Sequence, residues 1–326
     1  MGSRAYIFPG QGVQRVGMGA DVAAHSAAAK RVYAAADDVL GTELTALSFE
    51  GPLGVLSETR NAQPAIFTAS AACLAAYLEA CGVEAVTDLP DALQPALVAG
   101  HSIGEFTALY AAGALSLEDG LRLVQTRGEL MQRAVADAPG GMAAVIGVSP
   151  QVVMQLCARA RSADVRSIVT IATFNTPQQV VIAGDKAGLD SAIVLLKEHG
   201  ARRIVPLRVG GAFHTQAMAP VQDEWRAAVA AAPLLPPCIP VVANTTANIA
   251  TTVEALRHEL SVQVTSPVRW AATIDMLLRR NLNPIYEFGP GAVLTKMIGS
   301  IAPATTATAI DSQQAALRAA ESGVVA

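Results

Sequence analysis

Gly100-His101-Ser102-Ile103-Gly104 sets a serine between two glycines, with a histidine beside it. This is the G-x-S-x-G pattern of a nucleophile on a sharp strand-to-helix turn. Side chains on the flanking positions would clash at such a corner, so glycines stand there. The helix that follows aims its free N–H groups at the serine, and that of Ile103 comes first as an oxyanion donor. The competing reading is a Gly-rich turn carrying a solvated serine.

A serine nucleophile needs a base, and the chain offers five histidines. His25, His199 and His258 stand in polar helical settings and read as surface residues. His101 adjoins the serine, but neighbouring side chains diverge at a sharp turn. It is expected to shape the elbow and not to take the Oγ proton. His214, in "VGGAFHTQAM", follows an expected strand in a Gly-rich loop. Serine before histidine is the chain order of the α/β hydrolases. No acid between them stands convincingly at a strand end: Asp185 and Asp190 read as residues of a helix's first turns, Asp223 as helical. A backbone or amide carbonyl would then hold the Nδ1 proton. Arg127 is the other residue out of place. Within "LEDGLRLVQTRGELMQRAVA" it shares a stripe with Leu123 and Met131, beside Val124, while Arg122 and Arg133 fall on another face. A guanidinium on an apolar stripe needs an anionic partner. That partner is either a structural Glu or Asp or a carboxylate of the substrate.

The elements that must carry these residues alternate strand and helix, the pattern of a parallel α/β fold. "RAYIFPG" reads as a short strand stopped by Pro9-Gly10. A helix is expected from about Asp21 to Leu40, and "NAQPAIFTASAACLAAYLEACG" reads as a long helix with Pro64 in its first turn and Gly82 at its stop. "PALVAG" is a strand leading to the elbow, and "HSIGEFTALYAAGAL" the helix after it. From Gly140 to Val209 the order changes to β-α-β-β-α-β, a ferredoxin-like split arrangement. The expected fold is an α/β-hydrolase-like large subdomain with a parallel sheet, residues 1–139 and 210–326. A ferredoxin-like small subdomain, residues 140–209, is inserted into it.

Composition narrows the function classes. In 326 residues, 52% are apolar and 15% charged, which indicates a globular chain with an ample core. A net charge of −4 gives no bulk attraction to nucleic acid. Cys73, Cys81, Cys157 and Cys238 form no C-x-x-C pair and no zinc-ligand spacing, so no metal is expected and a reducing cytoplasm fits. "MGSRAYIFPG" lacks a secretory apolar region, and Tyr6 stands where Gly2 myristoylation would need Ser or Thr. "AIFTASAACLAAYLEA" is too short for a membrane span and ends in charge.

Taken together, these segments resemble the malonyl-CoA:acyl-carrier-protein transacylases, including the discrete trans-acting acyltransferases of polyketide synthases, over nearly the whole chain. "FPGQG" resembles the family's N-terminal oxyanion loop, with Gln11 as its glutamine. "NAQPA" resembles the helix motif "TQPA", "GHSIGEF" the elbow, and "RGELM" the segment whose arginine, here Arg127, holds the malonyl carboxylate. "FNTPQQVVIAG" is similar to the inserted hairpin, "GAFH" to the catalytic-histidine motif, and "EFGPG" completes the set. "QVTSPVRW" is similar to the segment whose glutamine, here Gln263, orients the histidine through its backbone carbonyl.

The resemblance implies catalytic roles for Ser102, His214, Gln11, Ile103 and Gln263, and a substrate-binding set of Arg127, His101, Gln63, Phe213 and Met131. It implies transfer of a malonyl or related carboxyacyl group from CoA, by way of an acyl-serine, to the phosphopantetheine thiol of an acyl carrier protein. That carrier is free or part of a polyketide synthase, and the pathway makes fatty acids or polyketides. No cofactor is implied, since the CoA thioester is a substrate. Nucleic-acid and membrane partners are not expected, and the chain is expected to be a monomer. "AFH" with an aliphatic residue after the serine suggests malonyl over methylmalonyl, while Gly210-Gly211 could widen the pocket. Val13 and Thr173 depart from the serine and asparagine common in the family. Arg208, Arg269, Arg279, Arg280 and Lys296 are candidate contacts for an acidic carrier. The alternatives are a serine thioesterase or esterase, a transferase of a non-malonyl group, and a transferase serving a malonate decarboxylase carrier.

Overall fold

The computed structural model describes residues 4–163 and 167–322. Gly2 lies outside them. Among these residues ten strands form two sheets: β1 Arg4–Phe8, β2 Pro95–Gly100, β3 Gly140–Ile146, β4 Val169–Thr176, β5 Gln179–Asp185, β6 Arg203–Pro206, β7 Val241–Val242, β8 Ile249–Ala250, β9 Ile285–Phe288 and β10 Ala307–Ile310. The larger sheet has the order β10-β9-β1-β2-β7-β8 and is parallel except for β8. Its central strands are buried on both faces and read as near-continuous apolar runs, as "AYIF" and "ALVAG" do. The smaller sheet has the order β4-β5-β3-β6 and is antiparallel throughout. Helices Pro150–Ala163 and Lys186–Glu198 cover it with a core of their own, built on Val145, Val153, Leu156 and Ile182.

Two features join the sheets beside the future site. The Val268 N–H donates to Ala172 O (2.9 Å) and the Phe174 N–H to Val268 O (2.8 Å), stitching β4 to the loop before helix Trp270–Arg279. At the other crossing the Gly140 N–H donates to Gly210 O (3.2 Å).

Helix Thr59–Ala80 is the hub of the larger body and is buried on almost every face. It begins two residues earlier than expected, so Pro64 lies in its second turn, not its first. The expected helix from Asp21 to Leu40 is two helices, Ala20–His25 and Ala27–Leu40. They break at Ser26, whose extended backbone lets its Oγ accept the Ala29 N–H (3.0 Å) as an N-cap. The helix after the elbow spans Gly104–Ala111 and ends before Gly113, which has φ +71°. Among the described residues no helix is long and apolar enough to cross a membrane. The four cysteines carry free thiols, with Cys73 and Cys157 buried.

Candidate active site

β1 and β2 are parallel neighbours, with Phe8 opposite Gly100, so the loops after them leave the sheet side by side. Ligands in parallel α/β sheets bind at this carboxyl edge. Ser102 occupies the turn after β2 with φ +54°, a left-handed conformation that costs a non-glycine residue roughly 1–2 kcal/mol. The glycines have the expected steric reason. A Cβ on Gly104 would lie 2.2 Å from Phe8 O, and one on Gly100 would lie 2.0 Å from the Gly104 carbonyl carbon.

Asn244, which the sequence reading passed over, holds the turn in this conformation. Its Oδ1 accepts the Ser102 N–H (2.7 Å) and its Nδ2 donates to Gly100 O (2.7 Å). The Ser102 amide is thereby spent, whereas the Ile103 N–H has no acceptor among the described residues. Ile103 opens the helix and is placed as an oxyanion donor should be. Gln11, half-buried in the loop after β1, lines the same cavity and donates from Nε2 to Thr59 Oγ1 (3.3 Å).

His214 meets Ser102 from 112 residues downstream, with Nε2 2.7 Å from Oγ. Its Nδ1 faces two backbone carbonyls, Gln263 O (3.0 Å) and Ser266 O (3.1 Å). Two acceptors at Nδ1 place the proton there and leave Nε2 to receive the serine proton. No carboxylate takes part in this arrangement. His101 turns away as expected: Nε2 donates to Asn175 Oδ1 (3.0 Å) and the ring packs edge-on to Trp270.

Arg127 lies under the serine, 1% exposed. Nη1 donates to Gln63 Oε1 (2.6 Å), and Nη2 donates to Gln263 Oε1 (2.8 Å) and Ser102 Oγ (3.3 Å). Its Nε has no hydrogen-bond partner among the described residues, and Phe106 stacks against the guanidinium at 5.5 Å. Its hydrogen bonds go to amides and a hydroxyl, so the structural ion pair considered from sequence does not form directly. Burial lowers its pKa to about 9, with Glu105 acting in the opposite direction, so it is a cation at neutral pH. A buried cation whose partners are neutral is poised to receive an anion.

Strands β3, β4 and β5 and the loops after β1 and β2 help wall a cavity of about 140 Å³ over Ser102 and His214. Met131 and Phe213 line it as expected, with Val13, Met142, Thr173 and Val181 making it mostly apolar. This is well below the roughly 300 Å³ of sites for drug-sized ligands and suits a short acyl chain. Two expectations need correction. Neither Gln63 nor Arg127 lines the cavity: Arg127 reaches it only through Ser102 Oγ, and Gln63 is fully buried behind Arg127, with Nε2 on Met131 Sδ (3.3 Å), and so positions the guanidinium. Gly210 and Gly211 do not widen the pocket either, because Val135 occupies the space: a Cβ on Gly211 would lie 2.2 Å from its Cγ2. Of the proposed carrier contacts, Arg279 pairs with Asp275 and Arg269 donates to Thr245 O, while Arg208, Arg280 and Lys296 are exposed.

Burial pushes His214 down to about 3, and the nearby Arg127 charge adds to this. The base is therefore neutral throughout the working range. Acylation measured by rapid quench as kcat/KM is expected to stay flat from pH 8 to pH 5.5. An imidazole at the ordinary 6.5 would keep only about a tenth of its base form at pH 5.5 and lose activity in proportion.

Residues 5–317 match the acyl transferase domain family. The malonyl CoA-acyl carrier protein transacylase of Escherichia coli K12 is 37% identical over 317 residues, which cover 97% of this chain and 98% of that one. The polyketide biosynthesis protein ThaF of Burkholderia thailandensis is 40% identical over 299 residues, 92% of this chain but 24% of its own length. Among solved structures, a type II polyketide synthase malonyl-transacylase in complex with its acyl-carrier protein superposes with a TM-score of 0.88 at 35% identity, covering 98% and 99% of the two chains.

Proposed function

The chain belongs to the acyl transferase domain family, and from that premise we infer that it moves a malonyl group from CoA to the phosphopantetheine thiol of an acyl carrier protein. The observation that carries this reading is the buried Arg127 guanidinium, 3.3 Å from Ser102 Oγ and, among the described residues, hydrogen-bonded to neutral groups alone. An esterase acting on neutral acyl groups has no use for that cation. A group with its own carboxylate does.

In this mechanism His214 Nε2 takes the Oγ proton as Ser102 attacks the thioester carbonyl. The Ile103 N–H and Gln11 stabilise the tetrahedral oxyanion. Collapse breaks the C–S bond, the His214 proton passes to the CoA sulfur, and malonyl remains as an ester on Ser102. The carrier thiol then gives its proton to His214 and attacks the ester, and its collapse returns that proton to Oγ. The Gln263 and Ser266 carbonyls steady the imidazolium formed in each half. The apolar walls over Ser102 limit attack by water on the ester.

We read residues 1–139 and 210–326 as α/β-hydrolase-like and 140–209 as an inserted ferredoxin-like subdomain, which the β4-β5-β3-β6 order supports. Four free thiols fit a reducing cytoplasm. We take the enzyme to work there as a monomer without a bound cofactor, in polyketide or fatty acid synthesis. The test follows malonyl-CoA with and without phosphopantetheinylated carrier protein. Malonyl-carrier should form much faster than free malonate. Malonate released equally fast without carrier would make the protein a thioesterase.

A further inference from the structure

Glu105 is buried three residues past the nucleophile, at 1% exposure, and the mechanism above does not use it. Its two oxygens serve two different parts of the site. Oε1 accepts the Asn244 N–H (3.0 Å), and through Asn244 it supports the Ser102 turn. Oε2 accepts from Gln263 Nε2. The Gln263 amide donates also to Ser102 O (3.1 Å), and its Oε1 receives Arg127 Nη2 (2.8 Å).

We propose that Glu105 is the positioning residue for carboxylate selectivity: it fixes which way the Gln263 amide faces and thereby holds Arg127 ready for the carboxylate of the acyl group.

The reasoning is one of donors and acceptors. With both Nε2 hydrogens spent on Ser102 O and Glu105, Gln263 can offer only its oxygen to Arg127. The flipped amide would set its NH₂ against the guanidinium and its oxygen against the carboxylate, two repulsive contacts in a dry site. Glu105 and Arg127 are thus opposite charges bridged by one amide. The bridge keeps them apart, so the guanidinium is compensated without being occupied. A carboxylate bonded directly to Arg127 would compete with the substrate. Burial, then the nearby Glu259, raise the Glu105 carboxyl well above the usual range, while Gln263, Asn244 and Arg127 act the other way. Both oxygens face N–H donors, the arrangement that suits a carboxylate.

The proposal rests on the malonyl-transfer reading, and the wild-type enzyme tests that reading separately, by whether it loads malonyl at all. The experiment compares kcat/KM for malonyl-CoA and acetyl-CoA in Glu105→Gln, Gln263→Leu and the double variant. In Glu105→Gln the near-isosteric new side chain must turn an amide NH₂ toward either Asn244 N or Gln263 Nε2. The malonyl-to-acetyl ratio is expected to fall about tenfold in each single variant, and no further in the double. Equal losses on both substrates would reduce Glu105 to a support of the turn and overturn the proposal, as would single effects that multiply in the double variant. Should Glu105→Gln fail to fold, Gln263→Leu decides alone: it leaves the Gln263 backbone carbonyl to His214, and an unchanged ratio there refutes the proposal.

Discussion

Ser102→Ala is expected to abolish the acyl-enzyme. Oγ is the one atom placed to do three things at once: it donates toward His214 Nε2 at 2.7 Å, receives Arg127 Nη2 at 3.3 Å, and stands at the mouth of the helix whose Ile103 N–H is free. No other hydroxyl or thiol among the described residues can stand in for it. Thr173 borders the cavity, but no bond joins its hydroxyl to a base. The nucleophile and its base act as a unit, so removing one loses nearly all that both contribute, about a million-fold where this has been dissected in serine enzymes. The fold should tolerate the change. Alanine keeps the backbone N–H that Asn244 accepts and removes one buried hydroxyl, although its φ of +54° remains strained. The measurement is intact-protein mass after incubation with malonyl-CoA, with circular dichroism to show that the variant is folded. A malonyl adduct on the variant at the wild-type rate would move the nucleophile elsewhere.

How much of this was legible in sequence depended on whether each residue's role is local. The elbow is local: glycines two residues either side of a serine, a strand before and a helix after, and the structure places all of them as read. The pairing of His214 with Ser102 spans 112 residues, yet elimination among five histidines found it because each rival had a plain surface setting or a diverging side chain. Asn244, Glu105 and Asn175 were missed for a different reason. Their roles are hydrogen bonds to groups brought near only by tertiary packing, and an asparagine before "TT" or a glutamate in a first turn looks like ordinary capping. The clue available for Glu105 was its place in "GEFTAL", a helix otherwise apolar on every side, where a carboxylate must be buried and so needs donors. Pro64 was placed a turn too early and the break at Ser26 was not foreseen, because helix ends are set by capping contacts as much as by propensity. The Gly210-Gly211 error was one of neighbours: sequence shows that a side chain is missing but not that Val135 fills the space.

Arg127→Ala is expected to reverse the acyl preference from malonyl toward acetyl. The guanidinium is the only cation bonded to Ser102 among the described residues, and a malonyl ester on Oγ carries its carboxylate two carbons from the acyl carbonyl, within reach of Arg127. Truncating one partner of a buried, hydrogen-bonded charge pair costs about 2–5 kcal/mol, which is roughly thirty-fold to several-thousand-fold in kcat/KM for malonyl-CoA. Acetyl-CoA brings no charge to the pair, so the same truncation takes nothing from its binding and removes a cation that acetyl cannot satisfy. Loss of the side chain also frees Gln63 and Gln263, and a general loosening of the site would slow both substrates together. The ratio of the two kcat/KM values cancels that loss and isolates the carboxylate contact. Arg127→Lys sharpens the argument. An ammonium keeps the charge but cannot hold Gln63, Gln263 and a carboxylate in the planar fork that guanidinium provides, so the ratio should fall between wild type and the alanine variant. If the malonyl-to-acetyl ratio of Arg127→Ala equals that of the wild type, Arg127 is a structural cation and selectivity for the carboxylate has to come from the residues that line the cavity.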